Sequence, residues 1–197
     1  MLDKRREGRL TGSMVGAAIG ANPHCSRQKA FRLITKQEVF EGNEMTEWGN
    51  EHEKDAILSY ESITGEIVSK SNDDQEYFEK EFTICGYVGI TPDGFTDTHY
   101  VEAKCPWSQK IPDEVPPHYM AQIQTGMMVT EFPRAHLIYW TLEKTVIFEI
   151  PLDTEYWAQI SPLIEEFNQY LTDNVEPKRK KKPVLITPKQ EIVYNER

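Results

Sequence analysis

Gly89-Ile90-Thr91-Pro92-Asp93-Gly94 and, after a short connection, Val101-Glu102-Ala103-Lys104-Cys105-Pro106 form the stretch whose reading decides the fold. Residues 99–104 read as a β-strand, in which successive side chains point to opposite faces. Glu102 and Lys104 therefore share one face, and Val101 and Ala103 make the apolar alternate face. Pro106 stops the strand just past the lysine, and Pro92 fixes the turn at Asp93. Asp93, at the end of the neighbouring strand, can converge on the Glu102 face across the hairpin. Two carboxylates and an ammonium at the lip of a sheet are costly to desolvate unless something uses them. Asp and Glu supply the oxygen ligands that a hard cation such as Mg²⁺ requires, and a lysine beside a metal-bound water can lower its pKa or position it for attack on phosphorus. The spacing is short, and taken alone it reads first as a solvated Glu–Lys pair beside an ordinary turn.

Outward from this stretch, the chain alternates helical and extended patterns. Thr11-Gly12-Ser13 offers caps for a short helix over 13–20, ended by the Asn22-Pro23 turn. A second helix is expected over 27–37. A third covers 44–64, where Trp48, His52, Ala56, Ile57 and Tyr60 recur at helical steps and Gly65 closes the run. Strands are expected over 66–71, 77–84, 86–91 and 99–104. Pro116-Pro117 opens a helix to about Thr130, strands near 135–141 and 145–150 form a hairpin around Leu142-Glu143-Lys144, and Asp153 caps a final helix over 154–171. This order predicts an α/β (α+β) fold, a central mixed sheet with helices on its faces. The expected organisation is a single domain over 1–175 followed by a basic tail over 176–197.

The chain has 197 residues and a net charge of −10, with 39% hydrophobic and 11% aromatic residues. A largely disordered chain is excluded, and no apolar run approaches the ~20 residues of a membrane span. The basic start, Met1-Leu2-Asp3-Lys4-Arg5-Arg6, leads to no apolar segment, so no signal peptide is expected. Residues 1–177 carry 15 basic and 30 acidic side chains, whereas 178–197 carry seven basic and two acidic. An acidic body argues on its face against a nucleic-acid partner. Cys25, Cys85 and Cys105 have neither disulfide-framework nor zinc-ligand spacing, which points to a reducing intracellular compartment.

The chain resembles the lambda exonuclease/YqaJ-type viral recombinase family, a branch of the PD-(D/E)xK nuclease superfamily. The resemblance spans roughly residues 5–170 and rests on four ordered blocks: Arg6 to Ser13, Glu47 to Glu53, the pair quoted above, and Tyr119-Met120-Ala121-Gln122-Ile123-Gln124. It implies a restriction-endonuclease-like core and a 5′→3′ exodeoxyribonuclease that depends on Mg²⁺, with Mn²⁺ as a substitute. Such an enzyme digests one strand of duplex DNA to mononucleotides and leaves a 3′ overhang for a single-strand annealing protein. It also implies a ring-shaped homotrimer around DNA. Residue by residue, Asp93 and Glu102 match the metal-binding carboxylates, with the Ala103 carbonyl as a further ligand. Lys104 matches the lysine that acts on the attacking water. Glu53 matches a helical glutamate reaching the metal through water or a second ion, and Gln122 a glutamine beside the scissile phosphate. Arg6 and Ser13, with Thr91 in place of a serine seen in the lambda enzyme, match a 5′-phosphate pocket, where a guanidinium fork and hydroxyls favour a phosphate dianion.

Each of these residues has a plainer reading. Glu53 lies on a charged helix with Glu51, Lys54 and Asp55, Gln122 and Gln124 fit a helix surface, Tyr119 and Met127 fit a core, and Ser13 fits an N-cap. The five histidines are scattered without ligand spacing. The family's apolar wedge position holds Thr46, with Met45 beside it, and the 107–118 loop matches poorly. The run Lys178-Arg179-Lys180-Lys181-Lys182 suits a nuclear-import signal, a sequence-independent DNA contact, or a solubilising tail. Two other functions compete: a PD-(D/E)xK endonuclease and a non-catalytic DNA-binding protein.

Overall fold

The computed structural model describes residues 8–69 and 88–196. A five-stranded mixed sheet forms the centre, in the order β3(Gly94–Phe95), β4(Tyr100–Lys104), β5(Arg134–Trp140), β6(Thr145–Pro151), β7(Glu191–Glu196). Only β4 and β5 run parallel; the other neighbours are antiparallel. Parallel neighbours need a crossover, which α4(Pro117–Thr130) supplies. Its passage over the sheet places its side chains above the Glu102 face of β4.

That face is covered by α1(Gly12–Ala18), α2(Arg27–Ile34), α4 and α5(Thr154–Asp173), whose core includes Val15, Phe31, Ile123, Met127, Leu137, Phe148, Ile160 and Phe167. The opposite face is covered by α3(Glu44–Thr64), where Ala56, Ile57 and Tyr60 pack on Val101, Ala103, Ile138 and Ile147. The alternation along β4 therefore separates a polar cleft face from an apolar one, as the pattern requires. α1 lies so close to α4 that a Cβ on Gly16 would stand 2.6–2.8 Å from His118 atoms.

Local chemistry explains the element ends. Asn43 Oδ1 accepts the Thr46 amide at 2.9 Å, and Glu44 and Glu47 lie in the first turn of α3. Asp153 Oδ1 accepts the Tyr156 amide at 2.9 Å and starts α5. Several expectations change. The first helix begins one residue early and Thr11 makes no side-chain cap bond. Of the expected strand 66–71, residues 66–69 are described, and among them Ser69 makes a bridge with Phe95. Of the expected strand 86–91, the described residues form β2(Val88–Gly89), which pairs in parallel with β1(Leu10–Thr11) outside the main sheet. Strand 77–84 lies outside the described residues. Within the segment read as a basic tail, Glu191–Glu196 joins the sheet as its edge, and Lys180 bonds Glu166 on α5. No helix among the described residues is long and apolar enough to cross a membrane.

Candidate active site

The site grows from the β3–β4 hairpin. Gly94 pairs with Val101, so Asp93 falls beside the middle of β4, and its Oδ2 accepts the Ala103 amide at 2.8 Å. This fixes Asp93 against the backbone of the strand that carries Glu102 and Lys104. Glu102 is 2% exposed, and three donors converge on it. Lys104 Nζ and Gln122 Nε2 each donate to its Oε1 at 2.6 Å, and Tyr100 Oη donates to its Oε2 at 2.9 Å. Tyr100, Glu102 and Lys104 alternate along the same face, and Gly126 makes room for the tyrosine: a Cβ there would meet its ring at 2.6–2.8 Å. The Lys104 ammonium also lies 4.9 Å from the centre of the Tyr119 ring, a cation–π distance.

The electrostatics follow from two carboxylates sharing one partly buried ammonium. Burial first, and then the Glu102 charge, push the Asp93 carboxyl well above the usual range; Lys104 and the Ala103 amide oppose this. Burial opposes the charge on Lys104, but Glu102 and Asp93 outweigh it and raise its pKa, so the ammonium stays charged. Burial, aided by Glu53 and Asp93, pushes the Cys105 thiol up to about 12 and keeps it neutral. Burial, aided by His24, Lys104 and Lys182, lowers His118 to about 4.

All of this lines one cleft of about 920 Å³. Glu53 comes to the same cleft from α3, Ser13 from α1, and Thr91 from the segment before Asp93. Ser13 is exposed, and its Oγ lies 3.4 Å from Thr11 Oγ1. Arg6 lies outside the described residues. Met45 and Thr46 stand at the rim, both exposed. Thus Asp93, Glu102, Lys104, Gln122, Glu53, Ser13 and Thr91 share one concave surface. Tyr100 and Tyr119 belong to it too, although neither stood out as a site residue in the sequence. Tyr100 could have been found from strand alternation, since it lies two residues before Glu102.

Among described His, Cys, Asp and Glu side chains, a second cluster lies elsewhere: Glu66, His99 and His136 bring ligand atoms within 4.8 Å of one another. The histidines that looked scattered in sequence are thus partly gathered in space.

The sequence pattern of the YqaJ-like viral recombinase domain matches residues 2–133. The chain belongs to this family. Among solved structures, an alkaline exonuclease (LHK-Exo) from Laribacter hongkongensis is similar at 26% identity and a TM-score of 0.68, with 87% of this chain and 91% of that chain covered. The same exonuclease in complex with dAMP matches at 25% identity and the same TM-score. A phage related exonuclease from Haemophilus somnus 129PT shares the fold at 16% identity and a TM-score of 0.66, covering 84% and 94% of the two chains. Comparison with curated proteins gave no significant match.

Proposed function

We propose that the protein is a divalent-metal-dependent exodeoxyribonuclease that digests one strand of duplex DNA from its 5′ end, releasing mononucleotides and leaving a 3′ overhang. The observation that carries this reading is the convergence of Asp93, Glu102, Lys104 and Gln122 on the floor of one cleft. Family membership and the exonuclease neighbours support the reaction class, and the neighbour that binds dAMP supports a nucleotide product.

The donor set fits a hard cation. Two carboxylates share one ammonium, so one negative charge is left over, and it adds to burial in raising the Asp93 pKa. Asp93 and Glu102 would hold Mg²⁺, or Mn²⁺ in its place, with the Ala103 carbonyl and Glu53 as further oxygen donors. Bound there, the ion supplies polarisation of the phosphodiester and a more acidic water. The chain's own groups do the rest. Lys104, held protonated, donates hydrogen bonds and positive charge rather than serving as a base in the metal-free state. Gln122 holds Glu102 from above and offers its amide to a phosphate oxygen. Tyr100 fixes the second carboxylate oxygen, so Glu102 presents one orientation. Ser13 and Thr91, with Arg6, would receive the terminal 5′ phosphate and set the polarity. A homotrimeric ring would keep duplex threaded past this cleft, and the 3′ overhang would pass to a single-strand annealing protein of phage or viral type.

The test uses linear duplex labelled at either 5′ or 3′ ends, and closed circles, each with Mg²⁺ or chelator. The expected result is Mg²⁺-dependent release of 5′ label as mononucleotide with circles untouched. Cutting of circles would replace this reading with an endonuclease, and release from the 3′ end would reverse the polarity.

A further inference from the structure

The second cluster lies on the α3 face of the sheet, at the opposite end of β4 from Lys104. His99 precedes β4, His136 is on β5 opposite Val101, Glu149 is on β6 opposite His136, and Glu66 follows α3. His99 and His136 are 9% and 7% exposed, and their rings stack at 3.8 Å with 11° between planes.

The hydrogen bonds fix which nitrogens are free. Tyr60 Oη donates to Glu66 Oε2 at 2.7 Å, so at the 2.7 Å contact with His136 Nδ1 it must accept. That places the His136 proton on Nδ1 and the lone pair on Nε2. His99 Nδ1 contacts Thr98 Oγ1 at 2.8 Å, and its buried Nε2 has no hydrogen-bond partner among the described residues. Both Nε2 atoms face Glu149 Oε2, at 3.6 and 3.8 Å. These gaps are too long for hydrogen bonds. They are close to the ~3.3 Å between ligand atoms around a tetrahedral ion with bonds near 2.0–2.1 Å. The other Glu149 oxygen is held by Arg134 at 3.1 Å, which aims Oε2 at the imidazoles. Tyr60 linking Glu66 to His136 Nδ1 is the kind of outer partner that orients a metal-ligating imidazole.

We propose that the imidazoles of His99 and His136, with the carboxylates of Glu66 and Glu149, form a structural binding site for a borderline transition-metal ion such as Zn²⁺, separate from the Asp93–Glu102 centre. Two imidazoles disfavour Mg²⁺ and favour Zn²⁺. Stacked rings point their lone pairs side by side rather than at one point, so binding fans the rings apart. The ion would tie the end of α3 to β4, β5 and β6, across the sheet from the cleft.

The test is Co²⁺ titration of chelator-treated full-length protein carrying Asp93→Asn and Glu102→Gln, which silences the other centre. The expected result is the visible absorption of tetrahedral Co²⁺, saturating at one equivalent, displaced by Zn²⁺ and not by Mg²⁺, and lost when His99→Ala or His99→Gln is added. Zn²⁺ should also raise Tm in the His99 parent and not in the His99 variants. Should both His99 variants fail to fold, the imidazole NMR signals of the parent decide: Zn²⁺ must shift those of His99 and His136. Absence of the Co²⁺ band in the parent, a band that survives loss of His99, or histidine signals indifferent to Zn²⁺ would each overturn the proposal and leave the pair as a plain histidine–carboxylate contact.

Discussion

The charged form of Asp93 is disfavoured where it sits, and this has measurable consequences. Its folded-state pKa is raised, first by burial and then by Glu102. A raised carboxyl pKa contributes stability at low pH that is lost as pH rises through the folded value. In chelator, wild-type Tm should therefore fall with rising pH relative to Asp93→Asn, which keeps the side chain's shape without the charge. Mg²⁺ should raise Tm in the wild type and not in the variant; a variant with the same pH slope and Mg²⁺ response would show that Asp93 is not the strained group. His118 has the opposite sign. Burial and nearby cations depress it to about 4, so its neutral form supports folding above 6.5, and that support is lost as pH falls from 6.5 towards 4. His118→Gln should flatten this acid limb in pH-dependent unfolding. Tyr100→Phe removes one hydrogen bond to Glu102 and should lower turnover by about tenfold, roughly the value of a charge-assisted bond, with little change in fold by circular dichroism.

At the scale of elements, the helix–helix contact shapes the cleft. Gly16→Ala would push α1 against the His118 backbone, which cannot yield as a side chain can. Such overpacking costs about 1–3 kcal/mol, readable as a lower denaturation midpoint. Gly126→Ala should cost a similar amount and also displace Tyr100 from Glu102, so activity should fall further than in Gly16→Ala. These contacts also show what sequence patterns can and cannot reveal. The bounds of α3 were legible because Trp48, His52, Ala56, Ile57 and Tyr60 recur at helical steps and Gly65 closes the run. The Glu102–Lys104 face was legible because alternation is a local rule. The β1–β2 pairing was not, because two-residue strands carry no periodicity. The cluster of His99, His136 and Glu149 was equally hidden, because its members come from different strands and meet only through register.

For the whole molecule, the placement of charge matters more than its sum. A net charge of −10 includes Glu102, Asp93 and Glu53, which line the cleft and would be offset by a cation there. The basic run 178–182 is partly anchored, with Lys180 on Glu166, and the chain beyond it returns to cover the edge of β6 as β7. Truncation after Gln190 would bare that edge, and light scattering should then show self-association. The account stands most directly on one comparison: Mg²⁺-dependent release of acid-soluble nucleotide from linear duplex by the wild type and by Lys104→Ala, with folding verified. The prediction is a loss of about 10³-fold, as expected when a positioned charge is removed from where charge develops in the reaction. Activity in Lys104→Ala close to that of the wild type would contradict the assignment of this cleft as the site of hydrolysis.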